Sequence, residues 1–237
     1  MLDRLIAAAR GSLRLVTIAP ELPGALALIR GALTAGVVVS IGHTDASFDQ
    51  AAKAFGAGAS HVTHAFNAMR PFHHRDPAVI GAAIEASGVT VEIIADSVHL
   101  HPATVRLLLR AFGPERVCLV TDAVTPAGLD NGTFRIGRRE AVLRSGRITL
   151  PDGTIAGSAV TMDAVVRNVV QWKCASLTEA VRMASTVPAT VAGASRKGRI
   201  APGYDADLVA LTPELAVAAT WVRGVSVHSS IGSPPSH

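Results

Sequence analysis

The sequence predicts an α/β fold in which a parallel sheet alternates with helices. Three observations point there. Short β-branched runs alternate with amphipathic segments of helical spacing, the pattern of repeated βα units. Apolar residues make up 49% of the 237 positions and charged ones only 17%, enough to fill a sizeable core and too little charge for a disordered chain. Several of the β-branched runs end in a His or an Asp, as strands do when their C-terminal ends carry polar chemistry.

The elements follow in order. A first strand is expected over 13–18. Leu22, Leu26, Ile29 and Leu33 then recur at helical spacing, with Pro23 in a position that a first turn tolerates and Gly36 as the stop. A second strand covers 37–41. Asp45 or Ser47 caps a helix that runs to Phe55, with Gly56 ending it. Strands three, four and five are expected over 60–66, 89–95 and 117–122, and Pro102 opens a helix bearing Val105, Leu108 and Leu109 between the last two. From 133 to 152 the texture changes to Gly- and Arg-rich alternation, read as β-hairpins. A helical pair follows over 159–172 and 177–184. Short strands are expected at 198–200, 206–211 and 219–222, and a disordered tail over 229–237.

Composition narrows the function classes. Aromatics are 4% of the chain, so Ala, Val, Leu and Ile must build the core. The formal charge of +4 suits phosphate-bearing ligands or nucleic acid, but the arginines at 135, 138, 139, 144 and 147 are interleaved with one aromatic, Phe134. They read as a solvated hairpin face, and no nucleic-acid partner is expected. Cys118 and Cys174 stand far apart; a single disulfide is conceivable, but two reduced thiols in a cytoplasmic protein fit better. The longest apolar stretch, 31–42, is too short to span a bilayer, and no secretory signal is expected.

The chemistry-bearing residues emerge from strand alternation. If each strand keeps its pleat, His43 shares a face with Val37, Val39 and Ile41, His64 with Ser60 and Val62, and Asp122 with Cys118 and Val120. His61, an odd number of positions before His64, is then expected to face away. One His at a strand end is ordinarily a hydrogen-bonded structural residue. Two imidazoles and a carboxylate converging on one rim can bind a divalent metal and move a proton.

The motifs Gly42-His43-Thr44-Asp45-Ala46, Thr63-His64-Ala65-Phe66-Asn67-Ala68-Met69 and Leu119-Val120-Thr121-Asp122-Ala123 resemble the N-acetylglucosamine-6-phosphate deacetylase family of the amidohydrolase superfamily. Ala95-Asp96 with His99, Ala156-Gly157-Ser158 and Gly203-Tyr204-Asp205-Ala206-Asp207 are similar to that family in order and spacing. The resemblance implies a metal-dependent (β/α)8 barrel with a small β-sandwich. It implies that His43 and His64 bind a divalent metal, zinc or iron, and that Asp122 is the general base. His99 would contact the acetyl carbonyl, and Asn67 and Ala68 the sugar. Ile155, Ala156, Gly157 and Ser158 would form a loop closing over the substrate. Arg75 would bind phosphate, reaching into the neighbouring site of a homodimer.

The resemblance also implies features not found here: the first barrel strands and a Glu metal ligand in a His-Leu-Glu-Gly-Pro type motif. Glu21, in Ala19-Pro20-Glu21-Leu22, matches a different position. The expected architecture is therefore an incomplete barrel over 1–196 with a hairpin insertion near 133–152, then a β-sandwich remnant over 197–228. Such a chain by itself is expected to be poorly folded or inactive. The rival expectations are an amidohydrolase acting on a cyclic amide or nucleobase, and a non-catalytic fragment that binds sugar phosphate.

Overall fold

The computed structural model describes residues 2–230. Helix α1 (Leu2–Ala9) precedes five short strands, β1 (Leu15–Ile18), β2 (Val38–Ile41), β3 (His61–Val62), β4 (Thr90–Ile93) and β5 (Val117–Leu119). They pair in parallel and in chain order. The crossovers contain α2 (Ala25–Thr34), α3 (Phe48–Gly56), α4 (Ala78–Glu85) and α5 (Pro102–Phe112). Buried residues of all four crossover helices pack in one cluster with the same face of the sheet, as right-handed connections between sequential neighbours require. That is the arrangement of a barrel wall, and it is open here.

After β5 the chain forms an antiparallel sheet, β6 (Gly132–Ile136), β7 (Arg139–Arg144), β8 (Arg147–Thr149) and β9 (Ile155–Ser158). Helices α6 (Met162–Gln171), α7 (Leu177–Ala184) and α8 (Thr186–Val191) follow, and α7 and α8 pack on β5. A three-stranded antiparallel sheet, β10 (Leu208–Leu211), β11 (Val217–Val222) and β12 (Val225–Ser229), closes the described residues. None of their helices is long and apolar enough to cross a membrane.

Local sequence accounts for the helix ends. Ser47 and Gln50 form a capping box at α3, and Ser176 and Glu179 form another at α7. Each satisfies backbone N–H groups that the first turn leaves without partners, worth about 1 kcal/mol. Pro102 sits in the first turn of α5, where the His101 ring accepts from the Ala103 N–H at 3.1 Å.

The register places Val16, Val39, Ile41, Val62, Val91, Ile93, Val117 and Leu119 on one face of the parallel sheet. These belong to one core cluster with Ile29, Ala51, Ala54, Val79, Val105, Leu108, Val165 and Met183 from the helices. Each such aliphatic side chain contributes on the order of 1.5–3 kcal/mol on burial. The opposite face carries Thr17, Ser40, His61, Thr90, Glu92 and Cys118.

Several expectations shift. Strands three to five are shorter than 60–66, 89–95 and 117–122, because the backbone turns left-handed at His64, Ser97 and Asp122, two, four and three residues beyond their ladders. The run at 198–200 is irregular: it has no partner strand, and Gly198 (φ +81°) presses against the Ser185 carbonyl and Thr186. Helices α1, α4 and α8 go beyond what was expected. Of the expected tail at 229–237, Ser229 ends β12 and the Ser230 N–H donates to the Ala218 carbonyl at 2.8 Å. Residues 231–237 lie outside the described residues.

Candidate metal centre and substrate face

The three residues singled out at strand ends share one backbone feature. His43 (φ +48°), His64 (φ +27°) and Asp122 (φ +48°) all adopt left-handed conformations, as do Phe66, Ala68 and Ser97 close by. For a residue with a Cβ this costs roughly 1–3 kcal/mol, and such strain concentrates at functional positions. It also overturns the parity argument. Val39, Ile41 and Val62 face the helices, whereas the turn at His43 and His64 re-aims both imidazoles away from that row. His61 is the residue that lies on the polar face.

The two imidazoles meet. His43 Nε2 and His64 Nε2 are 2.9 Å apart, with the rings edge to face at 79° and centroids 4.6 Å apart. His43 is exposed and His64 is buried, and the His64 Nδ1 is enclosed without a hydrogen-bond partner. Two imidazole ligands on a tetrahedral ion at about 2.0–2.1 Å stand roughly 3.3 Å apart. The pair therefore lies within a few tenths of an ångström of that spacing, and its donor type suits zinc or iron. Among the described residues no group of three or more His, Cys, Asp or Glu side chains is placed to hold an ion, so Asp122 does not join the pair as a ligand.

The loops around the pair are tied together. The Thr44 N–H donates to the Ala68 carbonyl and the Arg70 N–H to the Thr44 carbonyl, both at 3.0 Å, linking the segments that follow β2 and β3. Glu21, after β1, accepts from the Thr44 hydroxyl and from the Asp45 N–H. Burial pushes its carboxyl up, but these hydrogen bonds outweigh it and hold the pKa below the usual value. Arg70 grips Asp45 through two nitrogens at 3.2 Å and Asp76 through a third at 3.0 Å. Its hydrogen bonds hold both carboxyls below their ordinary range.

Asn67 spends its side-chain amide on the His64 and Ala65 carbonyls at 3.3 and 3.1 Å, which shapes the turn that carries Ala68. Arg75 sits at an exposed tip, closed by paired backbone hydrogen bonds between His73 and Asp76. Its guanidinium touches His74 Nε2 at 2.8 Å and pairs with no carboxylate among the described residues. His99 lies beyond β4, its Nδ1 2.7 Å from Asp96 Oδ2, while Asp96 Oδ1 accepts the Val98 and His99 N–H groups. Burial raises the Asp96 pKa, and the hydrogen bonds from His99 and Val98 more than reverse it.

Ile155, Ala156, Gly157 and Ser158 form strand β9, not the expected loop. The Ser158 N–H donates to the Asp122 carbonyl at 2.9 Å, and its hydroxyl donates to the Thr121 carbonyl. Gly157 (φ +86°) approaches so closely that a Cβ there would lie 2.5 Å from Val124 Cγ1. The antiparallel sheet is thereby pinned to the segment holding Asp122.

One group was missed. Glu92 on β4 holds His61 Nε2 at 3.0 Å with one carboxylate oxygen and the His64 N–H at 3.1 Å with the other, and His61 Nδ1 reaches Thr90 Oγ1 at 2.6 Å. Burial alone would raise its pKa; the hydrogen bond and charge of His61 bring it below the usual value. Burial, with the Glu92 charge adding, pushes the facing Cys118 thiol up to about 12. A signal existed: an acid inside Thr90-Val91-Glu92-Ile93, since charged residues are seldom buried unless paired. A separate cavity of about 590 Å³, lined by Phe55, Gly58, Ser60, Ala86 and Val89, is formed by α3, α4 and the residues just before β3 and β4, and none of these groups lines it.

An open parallel wall whose strand ends carry paired imidazoles is an amidohydrolase arrangement, and the chain belongs to the amidohydrolase family, whose model matches residues 5–227. Within it, the chain is 38% identical over 209 residues to N-acetylglucosamine-6-phosphate deacetylase of Lysinibacillus sphaericus, covering 88% of this chain and 54% of that protein. It is likewise 38% identical to N-acetylgalactosamine-6-phosphate deacetylase of Escherichia coli O157:H7, covering 94% and 59%. The structure of N-acetyl-D-glucosamine-6-phosphate deacetylase from Mycobacterium smegmatis, a variant in complex with N-acetyl-D-glucosamine 6-phosphate, superposes with a TM-score of 0.91. It is 42% identical and covers 95% of this chain and 60% of that one. The chain thus spans a little over half the length of the curated relatives it matches.

Proposed function

We propose that this chain carries the catalytic face of a metal-dependent deacetylase that hydrolyses the N-acetyl group of N-acetylglucosamine 6-phosphate. The products are glucosamine 6-phosphate and acetate. The observation that carries this reading is the His43–His64 pair, 2.9 Å apart at the ends of adjacent parallel strands. The similarity to amino-sugar-phosphate deacetylases supports it.

His43 and His64, whose Nε2 atoms face each other, are the residues that would hold the divalent ion, zinc or iron. When bound, that ion supplies Lewis-acid polarisation and a water acidic enough to react near neutral pH. Asp122 takes the proton of the attacking water and returns it to the leaving amine. Asp96 engages His99 Nδ1, which leaves Nε2 as the atom for the acetyl carbonyl, where a hydrogen bond to the developing oxyanion is stabilising. Asn67, Ala68 and the Ile155–Ser158 strand border the sugar. Arg75, exposed and without a carboxylate partner among the described residues, offers its fork to phosphate across a homodimer interface. The enzyme works in the cytoplasm.

The test is acetate release, measured on the chain alone and with the unmatched portion of the M. smegmatis relative supplied in trans. Two nitrogen donors hold a metal less tightly than three protein ligands. Turnover is therefore expected to be higher in the mixture, to require a divalent ion and to vanish in His43→Ala. Ring opening of dihydroorotate or deamination of adenine without acetate release would transfer the chain to another amidohydrolase reaction. Preparations that bind sugar phosphate but no divalent ion would mark a non-catalytic binder.

A further inference from the structure

We infer that Glu92 is a positioning residue for the metal centre, acting through the backbone of His64. The inference rests on the reading of His43 and His64 as metal ligands. A histidine that ligates a metal through one ring nitrogen is ordinarily aimed by a hydrogen bond at the other. His64 has no such support, because its Nδ1 is buried and without a partner. Something else must aim the ring.

Among the described residues, the side chain that accepts from the His64 main-chain N–H is Glu92, through Oε2 at 3.1 Å. That N–H belongs to a left-handed residue two positions beyond the β3 ladder, between the Thr63 N–H, which donates to the Ile41 carbonyl at 3.0 Å, and the Ala65 N–H, which donates to the Glu92 carbonyl at 2.8 Å. The other Glu92 oxygen is held by His61, which is 1% exposed and anchored in turn to Thr90 Oγ1. Glu92 therefore bridges the first residue of β3 to the residue that turns out of it. The carboxylate sets the peptide plane before His64, and with it the direction in which Nε2 approaches His43. A charge-assisted hydrogen bond to a backbone N–H is strong enough for that task. Asn67, which touches the His64 carbonyl from the other side, completes the grip on this residue.

The test is divalent-metal affinity of the full chain, measured by competition with a chromogenic zinc chelator, for the wild type, Glu92→Leu and Glu92→Gln. Leucine fills a similar volume and accepts nothing. Glutamine keeps an oxygen for the His64 N–H. Expected is a roughly 10–100-fold weaker affinity in Glu92→Leu, the range for loss of a group supporting a ligand, with Glu92→Gln retaining most of the wild-type affinity. If Glu92→Leu does not fold, Glu92→Asp decides: its shorter carboxylate cannot span both partners, and affinity must fall while the circular dichroism spectrum stays native. Wild-type affinity in a folded Glu92→Leu or Glu92→Asp, or equal losses in Glu92→Leu and Glu92→Gln, would overturn the inference. A wild-type chain that binds no zinc, where His43→Ala changes nothing, would instead sink the assignment of the ligands themselves.

Discussion

The two faces of the parallel sheet are built from the same five strands and do opposite work. The helix-facing side is a dry layer of Val, Ile and Leu, fully buried on β2 to β5 and partly buried on β1, that packs to one continuous core. The other side is a hydrogen-bonded strip. Thr63 Oγ1 reaches Ser40 at 2.6 Å and Thr17 at 3.0 Å, and the His61–Glu92 pair extends it across β3 and β4. A residue's neighbours across the ladder, and not its hydrophobicity alone, decide which face tolerates it. The dry face holds the wall together by area, while the polar face spends its interactions on placing atoms.

That contrast can be broken at graded cost. The largest effect is expected on the dry face: Ile93→Ala should lower unfolding free energy by about 2–5 kcal/mol in urea titration, since a buried aliphatic leaves a cavity behind. A loss well under 1 kcal/mol would mean that the core is not packed as described. Gly42→Ala probes the polar face. Its Cβ would lie 2.7 Å from Thr63 Cβ and 3.1 Å from Thr17 Cγ2, so the strip must spread, at about 1–3 kcal/mol. The smallest effect concerns pH. The folded Asp96 carboxyl titrates below its ordinary value of 3.8, so its stabilisation is complete above that value and is lost as pH falls through the folded pKa. Thermal midpoints measured from pH 7 to pH 3 should show a decline below about pH 4 that is shallower in Asp96→Asn.

Much of the fold was legible because its signals are local. Capping residues, Pro102 and β-branched runs place α3, α5, α7 and all five parallel strands close to where they lie. The His43–His64 pairing was legible from strand ends and motif. The geometry behind it was not. Strand parity assumes an unbroken pleat, and the left-handed φ values at His43, His64 and Asp122 end that pleat before the side chains that matter. Glu92 escaped for a related reason: its partners, His61 and the His64 N–H, lie 31 and 28 positions away along the chain. No sequence window of one element contains that contact.

The rungs between Thr44 and the Ala68–Arg70 segment have a mechanical consequence. Because these two connecting segments share backbone hydrogen bonds on either side of Thr44, they cannot drift independently. His43 immediately precedes one and His64 leads into the other, so both rings ride on a single mount. A substitution that opens the Asn67 turn therefore reaches His64 directly and His43 through Thr44.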